Sequence, residues 1–321
     1  MKKFDFSRFH PFVQLLILMA FVVAGFCVSS FVMMAVGLFV LGGTGLDVTS
    51  SLSTDSPENV RLFLKWMQGF IQISMMLIPA LVFAYFYGEK SLKMLYINKI
   101  KHYWRTLTAM ALPFIVLPLV GLLNEWNNAV QFPDFLASLE QYLRNMEISA
   151  EAMTKVFLWA ETNWGLLLNL LIMAVIPAIS EEFLFRGVIQ NIFKRWFSNV
   201  HWAVIVAALV FSAVHGQFFG FLPRFVLGLM LGYLFVTMNS IWAPVIAHFV
   251  NNGTATFVAF LESKGIIETT AEDFGTMQNA EIWGLLSAAV TSVIFYYLYQ
   301  SLKASVLMPE PKYPSLLPVQ L

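Results

Sequence analysis

The sequence predicts an all-α fold, a polytopic membrane helix bundle of about eight transmembrane helices. Of the 321 residues, 59% are hydrophobic and only 12% are charged, whereas a soluble globular domain has roughly 25% charged residues. The hydrophobic residues form continuous runs of about 20 residues, which is the length of a membrane-spanning helix. A transmembrane β-barrel would instead alternate polar and apolar residues. We therefore expect an integral multi-pass membrane protein in contact with the lipid bilayer.

The hydrophobic runs give the expected positions of the helices. The first run follows Lys2, Lys3 and Arg8 and resembles the start of a signal peptide. Its apolar part is too long for a signal sequence, so we interpret it as a retained span. In the sixth run, Gly228 and Gly232 form a G-x-x-x-G pattern that indicates close helix packing. The runs cover residues 12–41, 66–87, 104–123, 164–193, 201–215, 219–237, 241–261 and 282–302.

The chain divides into three predicted regions. Residues 1–163 hold the N-terminal membrane helices and an extracytoplasmic insert at about 124–163. Residues 164–261 form a core of four helices, and residues 262–321 hold the last membrane helix and a C-terminal tail. The insert repeats apolar residues at three- and four-residue spacing: Phe132, Leu136, Leu139, Leu143 and Met146. This spacing predicts an amphipathic helix that lies on the membrane surface or caps the bundle.

The distribution of Lys and Arg residues predicts the orientation in the membrane. Cytoplasmic loops of membrane proteins carry an excess of basic residues. If the N-terminus is cytoplasmic, 13 of the 19 Lys and Arg residues lie on the cytoplasmic side. The remaining six lie on the opposite side: Arg61, Lys65, Arg144, Lys155, Arg224 and Lys264. We therefore expect both termini in the cytoplasm.

Composition also argues against a nucleic-acid-binding site and against an intrachain disulfide. The formal net charge is zero, so no excess of basic residues is present to bind a polyanion, and we expect no nucleic-acid partner. The single cysteine, Cys27, cannot form an intrachain disulfide. It lies in the first hydrophobic run, where we interpret it as a small core residue rather than a reactive thiol.

Two adjacent acidic residues, Glu181 and Glu182, lie within the fourth hydrophobic run. An intramembrane carboxylate is costly unless it is paired or faces water, so its presence indicates a functional site. Glu182 precedes Arg186 by four residues, a spacing that places both on one helix face and predicts an ion pair. Glu181 points about 100° away from Glu182. It has no such partner, so we expect it to face a cavity and to hold or activate water.

A histidine on the next run is expected to meet Glu181. Ser198 and Asn199 predict a turn between the fourth and fifth runs, and Glu181 and His215 each lie 17 residues from Ser198. In an antiparallel helical hairpin, equal separation from the turn means similar depth in the membrane. We therefore expect the two side chains to meet across the helix interface.

The seventh hydrophobic run adds an imidazole and an amide to the polar residues Glu181 and His215. His248 and Asn252 lie four residues apart and share a helix face. Together with Glu181 and His215 they suffice for hydrolysis by water. Glu181 is expected to deprotonate the water and His215 to orient it, while His248 and Asn252 stabilise the oxyanion.

Other interpretations of these residues stay open. Glu181, His215 and His248 resemble an open zinc site, although no H-E-x-x-H motif is present and Asn252 would be an unusual zinc ligand. The polar group can also serve only to hold helices together, as in a non-catalytic membrane scaffold or a bacteriocin-immunity factor. In a proton-coupled transporter, Glu181 would be the proton site.

Three short motifs in this region resemble a known family. Residues 181–186 fit E-E-x-x-x-R, residues 211–215 fit F-x-x-x-H, and residues 248–252 fit H-x-x-x-N. In this order and spacing the motifs are similar to those of the CAAX-processing and bacteriocin-processing (CPBP, or Abi) family of intramembrane endopeptidases. The Ras-converting CAAX endopeptidase is a eukaryotic relative. The resemblance covers residues 164–260 and implies a catalytic core of four helices.

The resemblance implies roles for the motif residues. It makes Glu181 the base and His215 its partner, and it makes His248 and Asn252 the oxyanion-binding pair. No cofactor is expected, with a divalent metal such as zinc, held by Glu181, His215 and His248, as the alternative.

The remaining motif residues, Glu182, Arg186 and Phe211, are implied to support the site, with Phe211 packed beside His215. The implied substrate is a peptide or a membrane protein. Because the loops are compact and no targeting feature stands out, we expect a location in a bacterial cytoplasmic membrane.

Overall fold

The computed structural model describes residues 5–41, 54, 56–268 and 279–306. Over these residues the chain forms helices and turns without a β-strand, so the prediction of an all-α fold is confirmed. The longer helices are α1 (Pro11–Leu41), α2 (Glu58–Tyr85), α3 (Tyr103–Asn128), α4 (Ala137–Leu158), α5 (Asn163–Phe197), α6 (Val200–Ala213), α7 (Phe221–Met238), α8 (Trp242–Ser263) and α9 (Ala280–Val306). Short 3₁₀ helices lie at Phe6–Arg8, Gly88–Leu95 and Asp134–Leu136.

Six helices of the described part of the chain are long and apolar enough to cross a membrane, namely α1, α2, α3, α5, α7 and α9. The sequence predicts about eight spans. The difference arises at α6, which has only 14 residues, and at α8. Helix α8 is 22 residues long, but its polar residues His248, Asn251 and Asn252 lower its hydropathy.

Helices α5 and α7 form the centre of the bundle. Half of the most apolar part of α5 and 56% of that of α7 are buried, compared with 11% in α1 and 17% in α9. The buried side chains of α5 pack mainly against α2, α6 and α8. The acidic pair therefore lies on one of the two most enclosed membrane-spanning helices.

Helices α2 and α5 contain π-helical turns next to polar residues. In α2 the turn Ile73–Leu77 starts directly after Gln72, and in α5 the turn Phe183–Ile189 starts directly after Glu182. A further π-helical turn covers Leu170–Val175 of α5. Such turns are rare and frequently occur at functional sites.

The hairpin between α5 and α6 turns where the sequence predicts it. Ser198 adopts a left-handed backbone conformation with φ of 52°, which ends α5. The side chain of Asn199 then caps α6 by accepting hydrogen bonds from the amides of His201 and Trp202. These local interactions bring the end of α6 back along α5.

Small residues allow close helix contacts at two places. A Cβ atom at Gly228 would lie 3.1 Å from the Cβ of Ala208, so the G-x-x-x-G pattern of α7 packs closely against α6. A Cβ atom at Gly25 of α1 would overlap the carbonyl oxygen of Ser74 and lie 2.8 Å from its carbonyl carbon. The backbones of α1 and α2 therefore touch at the π-helical turn of α2.

The interpretation of Cys27 as a core residue is wrong. Its side chain is exposed on the outer face of α1, which is the least buried of the membrane-spanning helices.

Helix α4 forms most of the predicted insert and rests on the bundle through polar residues. Glu140 is held by the amide of Phe132 and by Arg144, and these interactions lower the pKa of its carboxyl group. Leu139 and Met146, two of the apolar residues in the predicted pattern, are exposed. The contact of α4 with the preceding loop thus depends on the charged side chains of Glu140 and Arg144.

Some predicted features fall outside the described residues. These are most of the C-terminal tail and the basic residues Lys2, Lys3 and Lys312 of the orientation argument. The orientation itself and the division into three regions stay predictions.

We expect Gly25→Ala to destabilise the protein by about 1–3 kcal/mol, the usual cost of overpacking, because the new methyl group would meet backbone atoms that cannot move aside. The matched control is Gly37→Ala on the same helix, where the nearest atom is Cζ of the Phe63 side chain at 3.3 Å. Thermal unfolding of the detergent-solubilised protein compares the two variants. Equal melting temperatures would contradict the close crossing of α1 and α2.

For the orientation, we expect a reporter fused after Leu321 to be read as cytoplasmic, because of the excess of basic residues in the loops assigned to that side. The matched fusion is a reporter inserted after Asn128, at the end of α3, which is expected to be read as extracytoplasmic. The reverse pattern would show that the bundle is inserted the other way.

Candidate active site

A cavity of about 170 Å³ lies between helices α5, α6, α7 and α8. Its wall includes all four residues predicted to act in hydrolysis: Glu181, His215, His248 and Asn252. The other lining residues are Phe211, Arg224, Leu227, Met230, Leu231 and Asn251. Four side chains from three helical segments are thus brought together in one place.

Glu182 forms the predicted ion pair with Arg186 and one further contact. Its Oε2 atom lies 3.2 Å from Nε of Arg186, and both side chains are almost fully buried. Arg186 also donates from Nη2 to the carbonyl oxygen of Gly228 at 3.1 Å, and its guanidinium group lies over the ring of Phe211. The second oxygen of Glu182, Oε1, lies 2.8 Å from Nδ1 of His248. The sequence gives no local signal for this last contact, because it joins α5 to α8.

The imidazole of His248 lies between the two acidic residues. Nδ1 donates to Glu182, and Nε2 lies 3.8 Å from Oε2 of Glu181. This arrangement fixes the ring with one nitrogen in the buried ion-pair network and the other directed to the candidate base. Glu182 therefore supports the site through His248 as well as through Arg186.

His215 lies just after the end of α6 and is oriented by its own segment. Its Nδ1 atom donates a hydrogen bond to the carbonyl oxygen of Phe211 at 2.8 Å. The ring of Phe211 packs against the imidazole, with 5.1 Å between the ring centroids. Since a carbonyl oxygen only accepts, the proton of the neutral imidazole is on Nδ1, and Nε2 is left as an acceptor.

Asn252 is held by an irregular part of α5. Pro177 has no N–H, so it cannot donate to the carbonyl oxygen of Met173 four residues earlier. The Nδ2 atom of Asn252 donates to that oxygen at 3.3 Å, and its Oδ1 atom accepts from Nδ2 of Asn251 at 3.1 Å. One hydrogen of the Asn252 amide thus remains for another acceptor.

Two residues of the site were not identified from the sequence. Gln72 of α2 donates from Nε2 to Oε1 of Glu181 at 2.5 Å. Arg224 of α7 lies on the cavity wall and donates to Gln217 at 2.6 Å, and Gln217 donates to Glu147 of α4 at 2.8 Å. The contacts of Gln72 with Glu181 and of Gln217 with Glu147 connect segments distant in the sequence, so periodicity within one helix cannot reveal them.

The fit of a metal ion can be judged from the donor atoms. Nδ1 of His248 is engaged with Glu182, and Nδ1 of His215 with Phe211. Over the part of the chain that the structure describes, no group of three or more His, Cys, Asp or Glu side chains is arranged to hold a metal ion. The Nε2 atom of each ring is not engaged in these bonds, as in a metal-ligating histidine whose other nitrogen is hydrogen-bonded, so the absence of a cofactor and the zinc alternative both stay predictions.

We expect Glu182→Gln to destabilise the protein by about 3–5 kcal/mol, because it leaves the buried charge of Arg186 without a partner. The matched control is Glu140→Gln, which breaks an i,i+4 pair with Arg144 at the surface of α4, where ion pairs contribute little. Thermal unfolding and the yield of folded protein in detergent compare the variants. Equal losses of stability would contradict the anchoring role of Glu182.

Comparison with known proteins gives a family for this part of the chain. Residues 163–254 match the family described as Rce1-like, Type II CAAX prenyl endopeptidase Rce1-like. The matched segment runs from the start of α5 into α8 and contains the three motifs. No curated protein and no solved structure matches the chain. The match confirms the predicted resemblance, and it shows that residues 163–254 of the chain are similar to the Rce1-like family.

Proposed function

We propose that the protein is an intramembrane endopeptidase of the CAAX-protease type, which hydrolyses a peptide bond near the membrane with water activated by glutamate and histidine. The observation that carries this proposal is the convergence of Glu181, His215, His248 and Asn252 on one cavity. The match of residues 163–254 to the Rce1-like family supports it.

Glu181 is the proposed general base. Its Oε1 atom accepts a hydrogen bond from Gln72, which leaves Oε2, 3.8 Å from Nε2 of His248, as the oxygen available to water. In the proposed step, Oε2 takes a proton from a water molecule as the water oxygen attacks the carbonyl carbon of the substrate. The acid is buried against the bundle but lies on the cavity wall, as this role requires.

His215 is proposed to orient the attacking water. Because Nδ1 donates to the carbonyl of Phe211, the lone pair of Nε2 can accept a hydrogen bond from the water. The water then has one hydrogen directed to Glu181 and one to His215, so its oxygen faces the substrate.

His248 and Asn252 are proposed to stabilise the oxyanion. In its doubly protonated form, His248 donates from Nδ1 to Glu182 and from Nε2 toward the developing negative charge. Asn252 supplies the amide hydrogen that does not bond to Met173. When the intermediate collapses, the C–N bond breaks and the proton held by Glu181 passes to the leaving nitrogen, which gives a carboxylic acid and a free amine.

The proposed substrate is a peptide or a membrane protein that reaches the cavity from the membrane. The cavity of about 170 Å³ is small, so it can hold a residue beside the scissile bond but not a folded domain. We propose that the protein acts without a metal cofactor, in a bacterial cytoplasmic membrane, with both termini in the cytoplasm.

The buried contacts of Glu182, Arg186 and His248 favour a membrane scaffold as a second candidate, because they join helices whether or not any chemistry takes place. A transporter with a proton site at Glu181 is a further alternative. A scaffold would keep its function after Glu181→Gln, and a transporter would give proton-coupled flux in liposomes.

We expect Glu181→Gln to lower peptide hydrolysis by at least about a hundredfold, the scale of the loss of a general base. The variant should fold well, because Gln keeps the shape of the side chain and removes a partly buried charge. The measurement uses purified protein in liposomes and quenched fluorescent peptides ending in Cys, two aliphatic residues and a variable residue, with and without an S-farnesyl group. The same assay with a chelator tests metal dependence, and we expect cleavage to persist.

The control for this variant is Glu125→Gln, which replaces an exposed glutamate of α3 and should leave hydrolysis unchanged. An active Glu181→Gln protein would refute the role of Glu181. Cleavage of only the farnesylated peptides would assign the protein a prenylated substrate, and cleavage of both forms would assign it an unmodified peptide.

A further inference from the structure

We propose that Gln72 positions the carboxylate of Glu181, so that α2 supplies a working part of the active site from outside the Rce1-like segment. This inference rests on the proposed function. It extends the site from residues 163–254, where the family match lies, to a helix that begins at Glu58.

The contact between the two side chains is short and enclosed. Nε2 of Gln72 donates to Oε1 of Glu181 at 2.5 Å, and the two residues are each only 8% exposed. A hydrogen bond to a charged group is stronger than one between neutral groups. Because both side chains are buried, water does not compete for this hydrogen bond.

The bond determines which oxygen of Glu181 is available to the cavity. With Oε1 held by Gln72, Oε2 is the atom next to Nε2 of His248. Without the donor, the plane of the carboxylate could rotate about its terminal torsion, which is broad, and neither oxygen would stay directed toward the water and His248. Gln72 is not among the residues of the cavity wall, so it acts through Glu181 and not on the substrate.

The packing of α2 fixes the place of Gln72. Gly69, one turn earlier, brings α2 against Ile172 and Ile176 of α5, where a Cβ atom would lie 3.4 Å from Cδ1 of Ile176. On the other side, Gly25 of α1 touches Ser74 two residues after Gln72. The backbone that carries Gln72 is therefore held between an ordinary packing contact with α5 and a close contact with α1.

A second polar residue of α2, Lys65, serves to separate a positioning role of Gln72 from a role that only holds α2 to its neighbours. Lys65 is buried and donates from Nζ to the carbonyl oxygen of Trp159 at 2.6 Å. Like Gln72, Lys65 joins α2 to a later part of the chain. Its partner, Trp159, lies before α5 and outside the candidate site. Lys65 is therefore a matched control for the loss of one buried contact.

The kinetic test compares Gln72→Met with Lys65→Met in the peptide assay. Met keeps the length of the side chain and removes the donor. For Gln72→Met we expect kcat to fall at least about tenfold, since small misplacement of a reacting group is costly, while KM stays the same. For Lys65→Met we expect a lower melting temperature and an unchanged kcat. If Gln72→Met does not fold, Gln72→Asn replaces it, because this amide is one methylene too short to reach Glu181.

An infrared measurement tests the hydrogen bond independently of any hydrolysis. The difference spectrum between the unmodified protein and Gln72→Met should show a shift of a carboxylate stretching band. The same substitution made in a Glu181→Gln protein should show no such shift. This result identifies the band as that of Glu181, even if the protein proves not to be a peptidase.

Two outcomes would overturn the inference. An unchanged carboxylate band would mean that Gln72 does not bind Glu181. A shifted band with an unchanged kcat in a protein that cleaves peptides would mean that the bond exists but does not position the base. Failure of the proposed function itself is recognised separately, by a Glu181→Gln protein that remains active.

Discussion

The carboxylate of Glu182 is the buried charge on which the geometry of the site depends. One oxygen faces Arg186 and the other accepts a hydrogen bond from His248, while Arg186 also donates to Gly228. A single enclosed side chain thus connects α5, α8 and, through its partner, α7. Because an unpaired buried charge is very costly, these helices keep their relative positions. Glu181, the adjacent residue, is held in place by the same constraint.

The site also depends on irregular backbone that other segments complete. Pro177 interrupts the hydrogen bonds of α5, and Asn252 of α8 binds the carbonyl oxygen of Met173. After the π-helical turn of α5, Asn191 donates to the carbonyl oxygens of Gly187 and Met94. In a membrane, backbone polar groups need partners within the protein. Asn252 and Asn191, polar residues in otherwise apolar helices, therefore stabilise the irregular backbone of α5.

Sequence reasoning succeeded where the physical cause is local. The turn at Ser198 and the pair of Glu182 with Arg186 follow from capping and from helix periodicity, so a single segment contains the information. The contacts of His248 with Glu182 and of Gln72 with Glu181 depend on how distant helices pack, and no spacing within one helix encodes them. The six apolar helices of the described residues are roughly consistent with the predicted eight spans, since α6 is short and the residues that build the site make α8 less apolar.

Because α5 contains the π-helical turn Phe183–Ile189, the positions of the residues after this turn depend on the number of residues in it. Removal of one residue there would allow a regular α-helix with all its own hydrogen bonds. It would also rotate everything that follows by about 100° relative to the acidic pair. Gln190 would then turn away from its contact with Gly232, and Asn191 from its contact with Met94. This stretch should therefore accept changes of side chain more readily than a change in the number of residues.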